Sequence, residues 1–282
     1  MIRPRVFFSL AVSLSTSLLT ALPARPDAMQ EIAHALPSNS SGVVCVSTTP
    51  IASERTTSDA TMLYNKQSGR WQKWFAVKES IGDIDTTVIK VSESVDGKNW
   101  KVSEDAALEP SVTPGIWDSG SVDAPVVLVN ADAVPARRFM MWYSGSSGSG
   151  DNQIAGIGLA FSADGKTFTR VTADESPYKV AGLVINAQDT FPGMPAVKGG
   201  LLSEPRVVFM DGRYQMWFSK IGAGDGGEII SAGVSKADSQ DGINWKTGND
   251  PLTFHFDKKK VSTKYLQSKL HRLSSTYSEI SM

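Results

Sequence analysis

The sequence predicts an all-β chain built as a β-propeller of four-stranded blades. Three observations carry this: an aromatic strand recurs, a Ser-x-Asp-Gly signature follows it each time, and the distance between the two is nearly constant. The aromatic strands are QKWFAV at 72–77, MMWYSG at 140–145 and QMWFSK at 215–220. The signatures are SVDGKNW at 94–100, SADGKTF at 162–168 and SQDGINW at 239–245. Trp74 precedes Ser94 by 20 positions, Trp142 precedes Ser162 by 20, and Trp217 precedes Ser239 by 22. Recurrence of order and spacing together marks a structural unit used three times.

Each unit reads as four strands. In the second they are APVVLVN, RRFMMWYSGS, IAGIGLAFS and TFTRV; in the third they are PRVVFMD, RYQMWFSKI, EIISAGVSKA and NWKTG. Apolar and polar residues alternate loosely along them, as expected of sheets packed face to face. Asp211-Gly212 and the three Asp-Gly pairs of the signature supply positive φ for tight hairpins. Spans 60–102, 121–171 and 202–247 are the expected sheets. A β-sandwich also uses short strands at regular spacing and is the alternative.

Composition narrows the partners. The 282 residues carry a formal net charge of −1, so there is no basic field for nucleic acid. One cysteine, Cys45, excludes an internal disulfide, and His34, His255 and His271 are too scattered to offer a metal-ligand spacing. No cofactor and no metal site is predicted. Residues 1–26 join a basic start (MIRPR) to an apolar run with hydroxyls and a small-residue ALPA at 21–24, which reads as a secretory signal peptide. Its Ser, Thr and Arg content also suits a plastid or mitochondrial transit peptide. No other segment approaches a membrane span. The organisation is then a targeting segment at 1–26, a linker or start of the first blade at 27–54, blades at 55–252, and a polar tail at 253–282, disordered or weakly helical.

The segments WDSGSVDAPVVLVN, RRFMMWYSG, GIGLAFSADGKTFTRV, LLSEPRVVF and RYQMWFS resemble the five-bladed glycosidases of families 43, 32, 68 and 130, the arabinanase, levansucrase and invertase group. The signature also resembles the Asp-box of sialidase propellers, one residue shorter. The first resemblance implies acids at the heads of successive inner strands, converging on one funnel around a glycan. Hydrolysis needs one carboxyl protonated at the leaving oxygen and one ionised toward water or the anomeric carbon. A third acid can keep the general acid protonated by like-charge repulsion.

Carried onto this chain, the resemblance makes Glu204 the general acid, Asp123 its pKa modulator and Asp59 the first-blade base or nucleophile. Family 43 has Glu-x-Pro where Glu204 here directly precedes Pro205, and no Asp-Pro stands near Asp59. Asp118 is a loop cap or a sugar ligand, Trp117 a stacking platform or a core ring, and Arg206 a funnel cation or an edge-strand cap. Asp96, Asp164 and Asp241 are turn residues. SGSSGSGDN and GAGDGGE are hairpin connections, since no helix follows to make them phosphate cradles. Five blades at about 70 residues each need more chain than 55–252 supplies, so the propeller is expected to be incomplete, as in a truncated product of a longer gene. Two functions follow: a glycoside hydrolase acting on an oligosaccharide or polysaccharide, or a non-catalytic carbohydrate-binding propeller.

Overall fold

A computed structural model of the chain describes residues 56–81, 84–113, 116–147, 154–191, 199–224, 229–248 and 252–255. The expected leader (1–26), the linker with Cys45 (27–54) and the tail beyond 255 lie outside the described residues.

The first sheet is β1 (Thr56–Asn65), β2 (Arg70–Ile81), β3 (Ile84–Ser94) and β4 (Lys101–Val102), antiparallel in that order. The second is β5 (Ser121–Val129), β6 (Phe139–Ser147), β7 (Ile154–Ser162) and β8 (Thr169–Arg170), with β9 (Leu183–Asn186) also on β7. The third is β10 (Gly199–Met210), β11 (Arg213–Ala223), β12 (Ile229–Ser239) and β13 (Lys246–Thr247), with β14 (Leu252–His255) also on β12. Strands of a sheet are consecutive in sequence and none is shared, unlike the strand exchange of a sandwich. Among the described residues the only helical turns are two 3-10 turns, Pro135–Arg137 and Gln188–Thr190.

The turns work in two ways. Asp211 (φ 54°) and Gly212 (φ 72°) form a two-residue hairpin between the paired Met210 and Arg213, as the sequence predicts. The three signature turns differ from the expectation of a tight hairpin. Only the glycine (Gly97, Gly165, Gly242) takes positive φ, and the Asp acts through its side chain. Asp96 Oδ1 accepts the amides of Lys98 and Asn99, at 2.9 and 2.8 Å, and Ser94 Oγ accepts the Gly97 amide at 2.9 Å. Asp241 and Ser239 repeat this. A carboxylate thus stands in for backbone acceptors the turn cannot supply.

The fourth strands also depart from the reading. Each is only two residues long, because the wide signature turn returns the chain to the edge for just two pairs. A second segment covers the rest of that edge: Leu108 bridges Ile89, β9 pairs with Gly156–Gly158, and β14 pairs with Ser231–Val234. The edge groups of β3, β7 and β12 need partners, which the returning chain provides. β14 lies just past the blade boundary expected at 252, so sheet pairing continues to His255.

Period-two alternation sends successive side chains of the middle strands to opposite faces. Met141 and Tyr143 pack with Leu63, Trp74, Ile89 and Val91 of the first sheet. Met140 and Trp142 pack with Val207, Tyr214, Met216 and Phe218 of the third. The three sheets therefore stack face to face in chain order. Trp74, Trp142 and Trp217 sit at one register, opposite Thr61, Val126 and Arg206 on the first strands. The first two donate to the next sheet's turn: Trp74 Nε1 to Gly165 O at 2.7 Å, Trp142 Nε1 to Gly242 O at 3.0 Å.

Candidate functional site

Pairing of each first strand with its middle strand is interrupted at one place. The register shifts between Thr56 and Ala60, between Asp123 and Val126, and between Ser203 and Arg206. In two of these bulges a non-glycine residue takes positive φ, Ala124 at 48° and Glu204 at 57°. Each precedes a proline, Pro125 and Pro205, which has no amide to give a ladder. Such backbone costs on the order of 1–3 kcal/mol per residue and recurs at functional sites.

Counting from the aligned tryptophans corrects the expectation that Asp123 and Glu204 are equivalent. Glu204 lies two residues before the partner of Trp217, and Ala124 two before the partner of Trp142. Asp123 therefore corresponds to Ser203, and Glu204 to Ala124. Asp59 lies two before Thr61, the partner of Trp74, and so takes the Glu204 position of the first strand. Its side chain lies outside the described part of the structure.

Two hydrogen bonds reach these breaks from the neighbouring sheet. Thr61 Oγ1 donates to Pro125 O at 2.7 Å, joining β1 to the bulge of β5. The Glu204 amide donates to Ser144 Oγ at 3.1 Å, and Ser144 is the cross-strand partner of Asp123. Ser144 thus touches the Glu204 backbone from the residue facing Asp123. Asp123 Oδ1 accepts the Ala124 amide at 2.6 Å, and Glu204 Oε2 lies 3.4 Å from the Ser219 hydroxyl. Both acids are half-buried. Ser144 and Ser219 were not singled out in the sequence, although each stands two residues after the repeated tryptophan. That spacing is the signal that would have found them.

The other three candidates lie elsewhere. Asp118 is fully buried, and its carboxylate is occupied: Oδ1 accepts Ser111 Oγ at 2.6 Å, while Oδ2 accepts Tyr143 OH at 2.9 Å and Arg170 Nε at 2.7 Å. Its partners are the side chains of Ser111, Tyr143 and Arg170, so its carboxylate ties the loop to β6 and β8 instead of capping loop amides. Trp117 is 3% exposed, donates Nε1 to Ala181 O at 3.0 Å and stacks on Tyr143 with centroids 5.7 Å apart. Its ring is core and offers no platform for a sugar. Both fit only because residue 145 is glycine, where an added Cβ would come within 2.6 Å of Trp117 and 2.7 Å of Asp118. Burial pushes the Tyr143 hydroxyl well above its ordinary pKa, and the neighbouring Asp118 charge adds to the rise against Arg170. Arg206, directly opposite Trp217, shares the face of the third sheet turned away from the second. It is therefore not a cation beside Asp123.

A cavity of about 720 Å³ lies between the 106–116 and 167–181 segments, lined by Leu108, Ser111, Ile116, Phe168, Arg170 and Val180 among others. It adjoins the Asp118 cluster and none of the bulge acids. No helix among the described residues is long and apolar enough to cross a membrane.

No protein-family model matches the chain, and no curated protein is similar to it. Solved structures are. One comes from glycoside hydrolase family 130, a family of mannoside phosphorylases containing glycoside hydrolases that target β-1,2-mannosidic linkages in Candida mannan. It is 19% identical, with 68% of this chain and 48% of that one covered and a TM-score of 0.43. A glycosyl hydrolase from Bacteroides ovatus is 19% identical, covering 70% and 51% with a TM-score of 0.42. A family 32 β-fructofuranosidase from Bombyx mori, in complex with sucrose, is 16% identical, covering 64% and 32% with a TM-score of 0.43. The chain spans about half of the first two structures and a third of the other. Families 32 and 130 are two of the four that the blade motifs resemble.

Proposed function

We propose that the three sheets are consecutive blades of a β-propeller, and that the chain is a glycoside hydrolase-like protein holding a glycan at the register breaks of its first strands. The row of register breaks supports this reading. Three first strands break register near the same height, each with an acid at or beside the break, and Thr61 and Ser144 bond neighbouring sheets at these breaks. Glu204 is the general acid, delivering a proton to the leaving oxygen. Asp59, at the matching position of the first strand, is the base or nucleophile. Asp123, on the intervening first strand, is the third acid of the set. The leader at 1–26 directs this chemistry to glycans met along the secretory route.

A non-catalytic carbohydrate-binding propeller is the second reading. It is favoured by the engagement of both acids with their own sheets, Asp123 by the Ala124 amide and Glu204 by Ser219. Release of reducing sugar from arabinan, fructan and mannan separates the two. Glu204→Gln keeps the shape and removes the proton, and is expected to lower turnover by about 10²–10⁴-fold, the range of a general acid. Wild-type protein that binds one of these glycans in calorimetry yet hydrolyses none would leave the binding reading. Unchanged turnover in Glu204→Gln would remove Glu204 from the mechanism.

A further inference from the structure

The cavity of about 720 Å³ between the 106–116 and 167–181 segments takes no part in the glycan site proposed above. Its walls are fixed in advance. The Phe168 amide donates to Ala107 O at 2.9 Å, Trp117 Nε1 to Ala181 O at 3.0 Å, and Arg170 Nη2 to Glu109 O at 2.6 Å. These three hydrogen bonds join one segment to the other around the space. A preformed cavity of this volume holds a small organic molecule.

The lining divides by chemistry. Buried Leu108 and Phe168 and half-buried Ile116 and Val180 are apolar. Two cations, Arg170 and Lys179, come from the 167–181 segment, and one acid, exposed Glu109, from the other. Arg170 is fixed in place with hydrogens to spare. Nε donates to Asp118 Oδ2 at 2.7 Å and Nη2 to the Glu109 carbonyl, while the side chain stays 20% exposed. A guanidinium carries five N–H groups in a planar fork, so these bonds leave Nη1 and the second hydrogen of Nη2 for a bidentate anion. Lys179 stands at φ 56°, a backbone region costly for a lysine and found where ligands are clamped. Its Nζ donates to the Asp174 carbonyl at 2.8 Å and, among the described residues, pairs with no carboxylate.

We propose that this cavity binds a small molecule made of an apolar body and a carboxylate. The carboxylate takes the open edge of Arg170, with Lys179 as the second cation, and the body lies against Leu108, Phe168, Ile116 and Val180. Asp118, bonded at Nε, holds the fork in orientation for that contact. A neutral apolar molecule gains only burial here, and a wholly polar anion leaves the apolar wall without a partner. The site stands or falls independently of the glycan reading, since none of the bulge acids lines it.

Calorimetric titration of the full chain with 3-phenylpropanoate tests this. A dissociation constant on the order of a millimolar is expected of so small a ligand. Its uncharged isostere, 3-phenylpropanamide, should bind about tenfold more weakly, because the charge-assisted bonds to Arg170 are lost. Lys179→Gln should weaken binding of the acid about two- to fivefold, as for an exposed ion pair. Ala173→Trp, at an exposed lining position, should fill the space and abolish binding. Arg170 is left intact in these variants because buried Asp118 depends on it. Circular dichroism melts verify that each variant is folded. No binding at about ten times the expected constant overturns the proposal. So does equal affinity for the acid and the amide, or binding of the acid that neither variant alters.

Discussion

The two sheet junctions predict unequal costs for one substitution, tryptophan to phenylalanine. Trp74 and Trp142 are both fully buried, so either change loses part of an indole from a packed interior. That transfer and cavity cost is about 1–2 kcal/mol and similar at the two sites. The acceptors are not similar. Gly242 O takes Trp142 Nε1 at 3.0 Å and also Trp245 Nε1 at 2.9 Å, so it keeps a donor after Trp142→Phe. The first junction has Phe168 where the other turns carry Trp100 and Trp245, and among the described residues buried Gly165 O receives only Trp74 Nε1. Trp74→Phe leaves that carbonyl unsatisfied, which costs roughly 1–3 kcal/mol more. Trp74→Phe should therefore destabilise by about 2–5 kcal/mol and Trp142→Phe by about 1–2. Urea unfolding followed by circular dichroism measures both, with an unchanged m-value confirming a like-for-like comparison. Two variants within about 0.5 kcal/mol of each other, the scatter of independent sites, or the larger loss at Trp142, would refute the reasoning.

Asp118→Ala strands Arg170, whose side chain is only 20% exposed, and removes the partners of Tyr143 and Ser111; a loss of about 3–5 kcal/mol is expected in the same urea titration. Acid pH should destabilise the protein. Amides of Asn99 and Lys98 hold Asp96 below the usual carboxylate range, and the Arg137 hydrogen bond lowers Glu175. Their stabilising effect is complete above the unfolded values near pH 4 and lost as pH falls toward the folded ones. Melting temperature should fall over that window, and Asp96→Asn should flatten the fall. Alkaline pH acts through Tyr143, whose pKa is raised by burial; its contribution is complete below about pH 10 and lost as pH rises further, so Tyr143→Phe should melt at a temperature less dependent on alkali.

Much of the scaffold is legible in the residues. Trp74, Trp142 and Trp217 share one register as their spacing predicts, and Asp211-Gly212 closes the hairpin that its sequence demands. The candidate site is legible only in part. Glu204 and Asp123 do lie on neighbouring first strands, but at register breaks inside them rather than at their starts, and at different positions of the bulge, because the extra residue resets the alternation from which strand facing is read. Asp118 and Trp117, beside each other in a loop-like Trp-Asp-Ser-Gly, look accessible in sequence. They are buried because Gly145, on β6, leaves them room.

By itself the sequence determined what depends on neighbours a few residues away: the three strand sets, their turns and the alternation that divides apolar from polar faces. These follow from backbone sterics, glycine at positive φ and side-chain period, all of them local. Only the tertiary structure decided which groups meet across sheets: Trp74 with the turn 91 residues on, Ser144 with the Glu204 amide, Asp118 with Arg170. Such contacts are set by how whole sheets stack. A hydrogen bond formed over dozens of intervening residues leaves no periodic mark in the chain that makes it.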